Sequence, residues 1–139
     1  MRRTELKMQR HVIDSYHLHG GYASKWDAEH AKGKPDLVCT MPGFGGHLVE
    51  VKHRPDYKQT TICKNLLEPR QKAEAKRYIE AGGKVYAGIV IRGHPNVSTA
   101  MLAYFDPLED EWPFAYATWA TWNSFDKFNI NRVLGVKTR

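Results

Sequence analysis

Two carboxylates and one lysine stand out among the residues that could do chemistry. Gly33-Lys34-Pro35-Asp36 leads into an apolar run, a glycine-rich turn follows, and the chain continues Leu48-Val49-Glu50-Val51-Lys52. If Leu37–Thr40 and His47–His53 are two strands of a hairpin, the turn Met41-Pro42-Gly43-Phe44-Gly45-Gly46 joins them. The midpoint of Asp36 and Glu50 falls on Gly43, so a regular antiparallel register sets the two acids opposite one another and on one face. Lys52, two residues beyond Glu50, shares that face because side chains alternate along a strand. A Glu-x-Lys pair on a strand is ordinarily a solvated surface. Here Asp36 opens the run Leu37, Val38, Cys39, and Val49 and Val51 flank Glu50. Charges embedded in apolar strands are costly to bury unless a cation or a substrate pairs them. Hard oxygen donors of this kind suit Mg²⁺, with Mn²⁺ as a substitute.

The elements around this hairpin can be read from periodicity and from their stops. Thr4 to His19 reads as a helix ended by Gly20-Gly21. At about 100° per residue, Glu5, Gln9, Val12, Ile13 and Tyr16 share one side, so a carboxylate heads an otherwise apolar face. Tyr22–Lys25 reads as a first strand, followed by the charged loop Trp26 to Lys32, whose Asp27, Glu29 and His30 are secondary candidates. Arg54–Thr61 is polar, contains a proline and reads as a loop over the active face. A second helix is expected over Pro69–Ala81, with proline at its first position and Gly82-Gly83 as its stop. Gln71, Ala75, Tyr78 and Ile79 fall on its inward face. Lys84–Arg92 is continuously apolar in its centre and suits a strand covered on both sides. Ala100–Phe105 reads as a further strand.

Pro35-Asp36, a variable hairpin and Glu50-Val51-Lys52 together resemble the PD-(D/E)xK nuclease superfamily. The lead-in Gly33-Lys34-Pro35-Asp36-Leu37-Val38 and the later Pro69-Arg70-Gln71 are most similar to its VRR-NUC branch, with Holliday-junction resolvases as relatives. The resemblance covers about residues 4 to 92. It implies an α/β restriction-endonuclease-like core: helix, three-stranded antiparallel meander, helix, strand. It implies Asp36, Glu50 and Lys52 as the catalytic set, with Gln71 close to it. It adds Glu5 and the backbone carbonyl of Val51 to Asp36 and Glu50 as metal ligands. Lys34, Arg54, Lys58, Arg70 and Lys72 become the expected phosphate-contacting residues. The implied activity is Mg²⁺-dependent DNA cleavage, selective for branched structures such as junctions or flaps, with a homodimer suggested by analogy to resolvases. A sequence-specific restriction-type endonuclease and a non-catalytic nucleic-acid-binding module of the same fold are the competing readings.

Composition is compatible with this. The 139 residues carry a formal net charge of +6 and are 42% hydrophobic, which suits one globular domain with an anionic partner. The core is expected over about 4–105, with an aromatic-rich extension over 106–139. Most of Trp112, Phe114, Tyr116, Trp119, Trp122, Phe125 and Phe128 are expected to pack on the sheet, with a minority left for unpaired bases or a dimer contact. No apolar stretch reaches transmembrane length and Met1–Glu5 lacks the apolar segment of a signal peptide, so an intracellular site is expected. Cys39 and Cys63 form no CxxC and no disulfide framework. The seven histidines match no HExxH or zinc-finger spacing. Neither a Walker loop nor a nucleophile elbow is present.

Overall fold

A computed structural model describes residues 3–26 and 33–135. The candidate loop residues Asp27, Glu29 and His30 lie outside the described residues. Helix α1 (Arg3–Leu18) is followed by strands β1 (Tyr22–Lys25), β2 (Leu37–Met41), β3 (Gly45–Arg54) and β4 (Ile62–Lys64). Helix α2 (Pro69–Glu80) precedes β5 (Val85–Ile91), β6 (Met101–Phe105), β7 (Glu111–Pro113), β8 (Ala120–Thr121) and the short α3 (Ile130–Leu134). The expected order of helix, three strands, helix and strand is present through β5, with the short β4 inserted between β3 and α2.

Six strands form one sheet in the order β1-β2-β3-β5-β6-β8. The β1–β2 and β2–β3 pairs are antiparallel, whereas β3 and β5 run parallel, with α2 as the crossover between them. The expected hairpin register is the observed one. Leu37 faces Val49 and Cys39 faces His47, so Asp36 and Glu50 continue the same ladder at its open end.

Each face of the sheet is covered by a different part of the chain. On one face, Met8, Val12 and Tyr16 of α1 pack with Leu37, Cys39, Val49, Val51, Val90 and Leu102, joined by Phe128, Ile130 and Val133 from the C-terminal segment. On the other face, Ala75 and Ile79 of α2 cover Leu48 and Val85. Farther along that face, Cys63, Trp112 and Phe114 cover Ala87, Ile89, Ile91, Met101 and Ala103. Glu50 and Lys52 sit between these two apolar clusters, since Glu50 pairs with Ala87 and Lys52 with Ile89 in the β3–β5 register.

Three features depart from the sequence reading. Tyr78 is 43% exposed instead of inward-facing. Its ring lies over Gly83, where a Cβ would come within 2.0 Å of it, so the tyrosine closes the helix end from outside the core. Just past the polar stretch Arg54–Thr61, where no element was expected, β4 pairs with β7 in a separate antiparallel ribbon, Cys63 facing Trp112. Arg54 belongs to β3 and not to the following loop. The aromatic segment divides as expected, with Trp112, Phe114 and Phe128 buried, while Tyr116 and Phe125 are about nine-tenths exposed, at 90% and 89%.

Candidate active site

Asp36 and Glu50 meet at the open end of the β2–β3 hairpin. Glu50 is buried and Asp36 half-buried, and each carboxyl acts on the other's ionisation. Proline precedes Asp36 and has no N–H to offer the ladder. The Asp36 carboxylate instead accepts from the Val51 backbone N–H at 2.9 Å, which ties this side chain across to β3. Gly33, at φ +74°, turns the chain into this loop, and the Arg70 side chain lies directly over it, about 3.0 Å from where a Cβ would stand. A residue with a side chain at 33 would therefore meet both an unfavourable backbone angle and the arginine.

Lys52 and Gln71 complete the cluster. The Lys52 ammonium stands 3.6 Å from Glu50 Oε2, with both side chains largely buried. Gln71, in the first turn of α2, donates from Nε2 to Glu50 Oε2 at 3.0 Å. Its Oε1 accepts from the Glu68 backbone N–H at 3.0 Å, half of a capping box. An amide oxygen can only accept and a backbone N–H can only donate, so the helix cap fixes which end of Gln71 faces the carboxylate. Sequence reasoning placed Gln71 near the site but missed Glu68. The Glu-x-x-Gln spacing at a helix start was the available signal.

Burial and mutual proximity govern the charge of the acid pair. Burial, followed by the neighbouring Asp36 charge, pushes the Glu50 carboxyl up to about 9. Burial also raises Asp36, against the lowering effects of the Val51 N–H and of the Lys52 charge. The pair thus holds a proton at neutral pH when no cation is bound. Glu50 Oε1 is buried with no hydrogen-bond partner among the described residues. An orphaned carboxylate oxygen beside a second carboxylate fits a hard divalent cation, which would displace the shared proton. No group of three or more His, Cys, Asp or Glu side chains is placed to hold a metal among the described residues. An ion held by Asp36 and Glu50 would therefore fill its shell with water, backbone carbonyl or substrate oxygens.

The remaining candidates are distributed around this centre. Glu5 is buried at the head of α1, and its Oε2 is paired with Arg54 Nη1 at 3.3 Å. Its charge reaches Asp36 weakly, as the last of the causes acting there. Arg54, expected to meet phosphate, is thus committed to a carboxylate. Lys72 is likewise paired with Asp110 at 2.6 Å on the surface. Lys34 lies over the Trp26 ring at 4.6 Å, and it flanks the Asp36 loop together with Arg70. Lys58 is exposed, and its backbone N–H closes the turn onto Thr61. Val51 is buried, with its N–H on Asp36.

A solved structure described as a VRR_NUC domain is similar to this chain at 26% identity, over 61% of this chain and 82% of that one, with a TM-score of 0.47. No protein-family model matches the chain, and no curated protein matches it. No helix among the described residues is long and apolar enough to cross a membrane.

Proposed function

We propose that this chain is a divalent-metal-dependent nuclease that hydrolyses phosphodiester bonds in DNA, selecting branched or partly unpaired structures. The observation that carries this reading is the buried Asp36–Glu50 pair with its orphaned Glu50 Oε1, flanked by Lys52 and Gln71 on one sheet face. A purely structural pair of acids would have its oxygens satisfied within the protein.

Each side chain then has a definable task. Asp36, pinned by the Val51 N–H, and Glu50, pinned by Gln71 Nε2, are the residues that would hold Mg²⁺. When bound, the ion supplies Lewis acidity, making water a competent nucleophile near neutral pH and offsetting charge on the phosphoryl oxygens. Lys52 presents three N–H donors next to Glu50, where they can orient the attacking water or stabilise negative charge developing on the phosphate. Gln71 keeps Glu50 from rotating away as its proton is lost. The chain's net charge of +6, with Lys34 and Arg70 beside the Asp36 loop, favours a polyanionic partner. Symmetric cutting of a four-way junction would require two copies of the chain, which sedimentation with and without DNA would reveal.

The test is cleavage of labelled four-way junction, flap, single-stranded and linear duplex DNA, with and without Mg²⁺ or Mn²⁺, alongside Asp36→Ala. Metal-dependent cutting that the variant loses, strongest on branched substrates, is the expected result. Cutting of plain duplex at one defined sequence would instead establish a restriction-type enzyme. Tight binding by both proteins with no cutting would reduce the chain to a binding module.

A further inference from the structure

The open edge of β3 carries an ion pair, Arg54 with Glu5, beside the two carboxylates. Strand β2 runs along β3 only as far as the Leu37–Val49 pair, whereas β5 follows it on to Arg54 and Ile91. From Glu50 to Arg54, one edge of β3 therefore has no neighbouring strand. Its backbone groups find side chains instead: the Val51 N–H donates to Asp36 at 2.9 Å, and the His53 carbonyl accepts from Arg54 Nη1 at 2.9 Å. Residues two apart present their backbone groups to the same edge, so Asp36 and the Arg54 guanidinium are neighbours along it. Arg54 also leaves β3 from the face that carries Glu50 and Lys52, since side chains alternate. Glu5, arriving from the head of α1, meets Arg54 here, and Asp36 feels its charge.

The bond between them is weak for so enclosed a pair. One nitrogen, Nη1, reaches Glu5 Oε2 at 3.3 Å and also serves the His53 carbonyl. A charge-assisted bond is ordinarily about 2.7–2.9 Å long, and a well-matched arginine uses two prongs. Nε and Nη2 donate to no group among the described residues, and 18% of the arginine side chain remains exposed. A phosphate can accept from two of these nitrogens at once, which Glu5 does not. Glu5 has no such freedom. Its side chain is only 10% exposed, and a carboxylate so enclosed needs a countercharge. Glu5, Asp36 and Glu50 are not gathered into a three-carboxylate cluster. In the resting chain, then, the arginine withholds Glu5 from the other two acids.

We propose that Arg54 is a latch on Glu5: a phosphate of the bound DNA strand takes Arg54, and the Glu5 charge so released draws the divalent cation to Asp36 and Glu50. Phosphate and cation replace one buried ion pair by two, so the exchange leaves no charge without a partner. Either ligand alone would strand one member of the pair. DNA and metal therefore bind cooperatively, and the DNA-free chain holds its cation weakly. This rests on the nuclease reading and deepens it, since it gives a reason for the site to load with metal on DNA and to stand idle off it.

Two double-mutant cycles test the latch without any cleavage. In the first, Mn²⁺ binding to the DNA-free protein is read from the electron paramagnetic resonance signal of the unbound ion. Arg54→Met should tighten binding about tenfold, and the gain should vanish in a Glu5→Gln background. In the second, binding of flap DNA is followed by fluorescence anisotropy in chelator. Glu5→Gln frees the arginine, so it should tighten binding and steepen the salt dependence by about one phosphate contact. Both effects should be absent in an Arg54→Met background. If Arg54→Met does not fold, Glu5→Gln alone decides: an unchanged salt slope overturns the latch. Equal Mn²⁺ gains from Arg54→Met in both backgrounds would make the arginine a distant charge, overturning the latch while the metal site stands. No Mn²⁺ binding by any of the four proteins would sink the nuclease reading and the latch together.

Discussion

Glu50→Gln should make the metal-free protein more stable at alkaline pH while abolishing its response to Mg²⁺. In the folded chain the Glu50 carboxyl is pushed up to about 9 by burial and by Asp36, from an ordinary value of 4.5. Between those values the folded state keeps a proton that the unfolded chain has released. The stabilisation is therefore complete below pH 4.5 and is lost as pH rises through about 9. Each unit corresponds to about 1.4 kcal/mol, so raising the pH from 5 to 9 withdraws on the order of 5 kcal/mol. For a chain of this size that is a fall in Tm of roughly 15–20 °C. Glutamine is isosteric and permanently neutral. It can still accept from Gln71 Nε2 and can offer its own N–H₂ to Asp36, so its Tm should be nearly flat over the same range. Saturating Mg²⁺ should rescue the wild type at pH 8.5 by about 3 kcal/mol at a hundredfold excess over Kd, and the variant by far less. Thermal melts of both proteins from pH 5 to 9, in chelator and in Mg²⁺, give the difference curve directly. Parallel curves for the two proteins in chelator would refute the buried, proton-sharing pair.

Other expectations bear on positioning and packing. Gln71→Met removes the donor to Glu50 and the acceptor for the helix cap, so cleavage should fall on the order of 10²-fold with a stability loss of about 1–2 kcal/mol, read by kinetics and melts in parallel. Tyr16→Phe deletes the hydroxyl that lies 2.7 Å from His47 Nε2 and 2.8 Å from the Tyr104 hydroxyl, leaving a buried imidazole unpaired; denaturant unfolding should show a loss of about 1–3 kcal/mol. Gly21→Ala would place a Cβ 2.5 Å from the Thr40 carbonyl oxygen, a backbone atom that cannot step aside. It should destabilise by about 2 kcal/mol or more without changing cleavage per folded molecule.

Local signals reported the centre of this molecule well. The Asp36–Glu50 opposition followed from one midpoint because a hairpin of alternating strands has few registers, and Leu37 does face Val49. Helix α1 announced Glu5 by periodicity, and the double glycine ended it. What stayed hidden was non-local. The β4–β7 ribbon joins three-residue strands almost fifty positions apart, too short for any periodicity to register. The commitment of Arg54 to Glu5 joins a strand end to a helix start, and no spacing rule predicts it. Tyr78 sat at helical spacing with Ala75 and Ile79, yet α2 needs only a narrow stripe because it covers little beyond Leu48 and Val85. His53 read as one polar residue among many until its burial was visible.

The amide of Gln71 serves two masters, and this links fraying to function. The bond from Glu68 N–H that starts α2 and the bond to Glu50 leave from opposite ends of a single planar group. When the first turn of the helix opens, as helix ends do on fast timescales, the carboxylate loses its tether in the same event. Hydrogen exchange at the Glu68 amide is consequently a clock for how often the carboxylate cluster comes undone, readable in the resting protein with no ligand present.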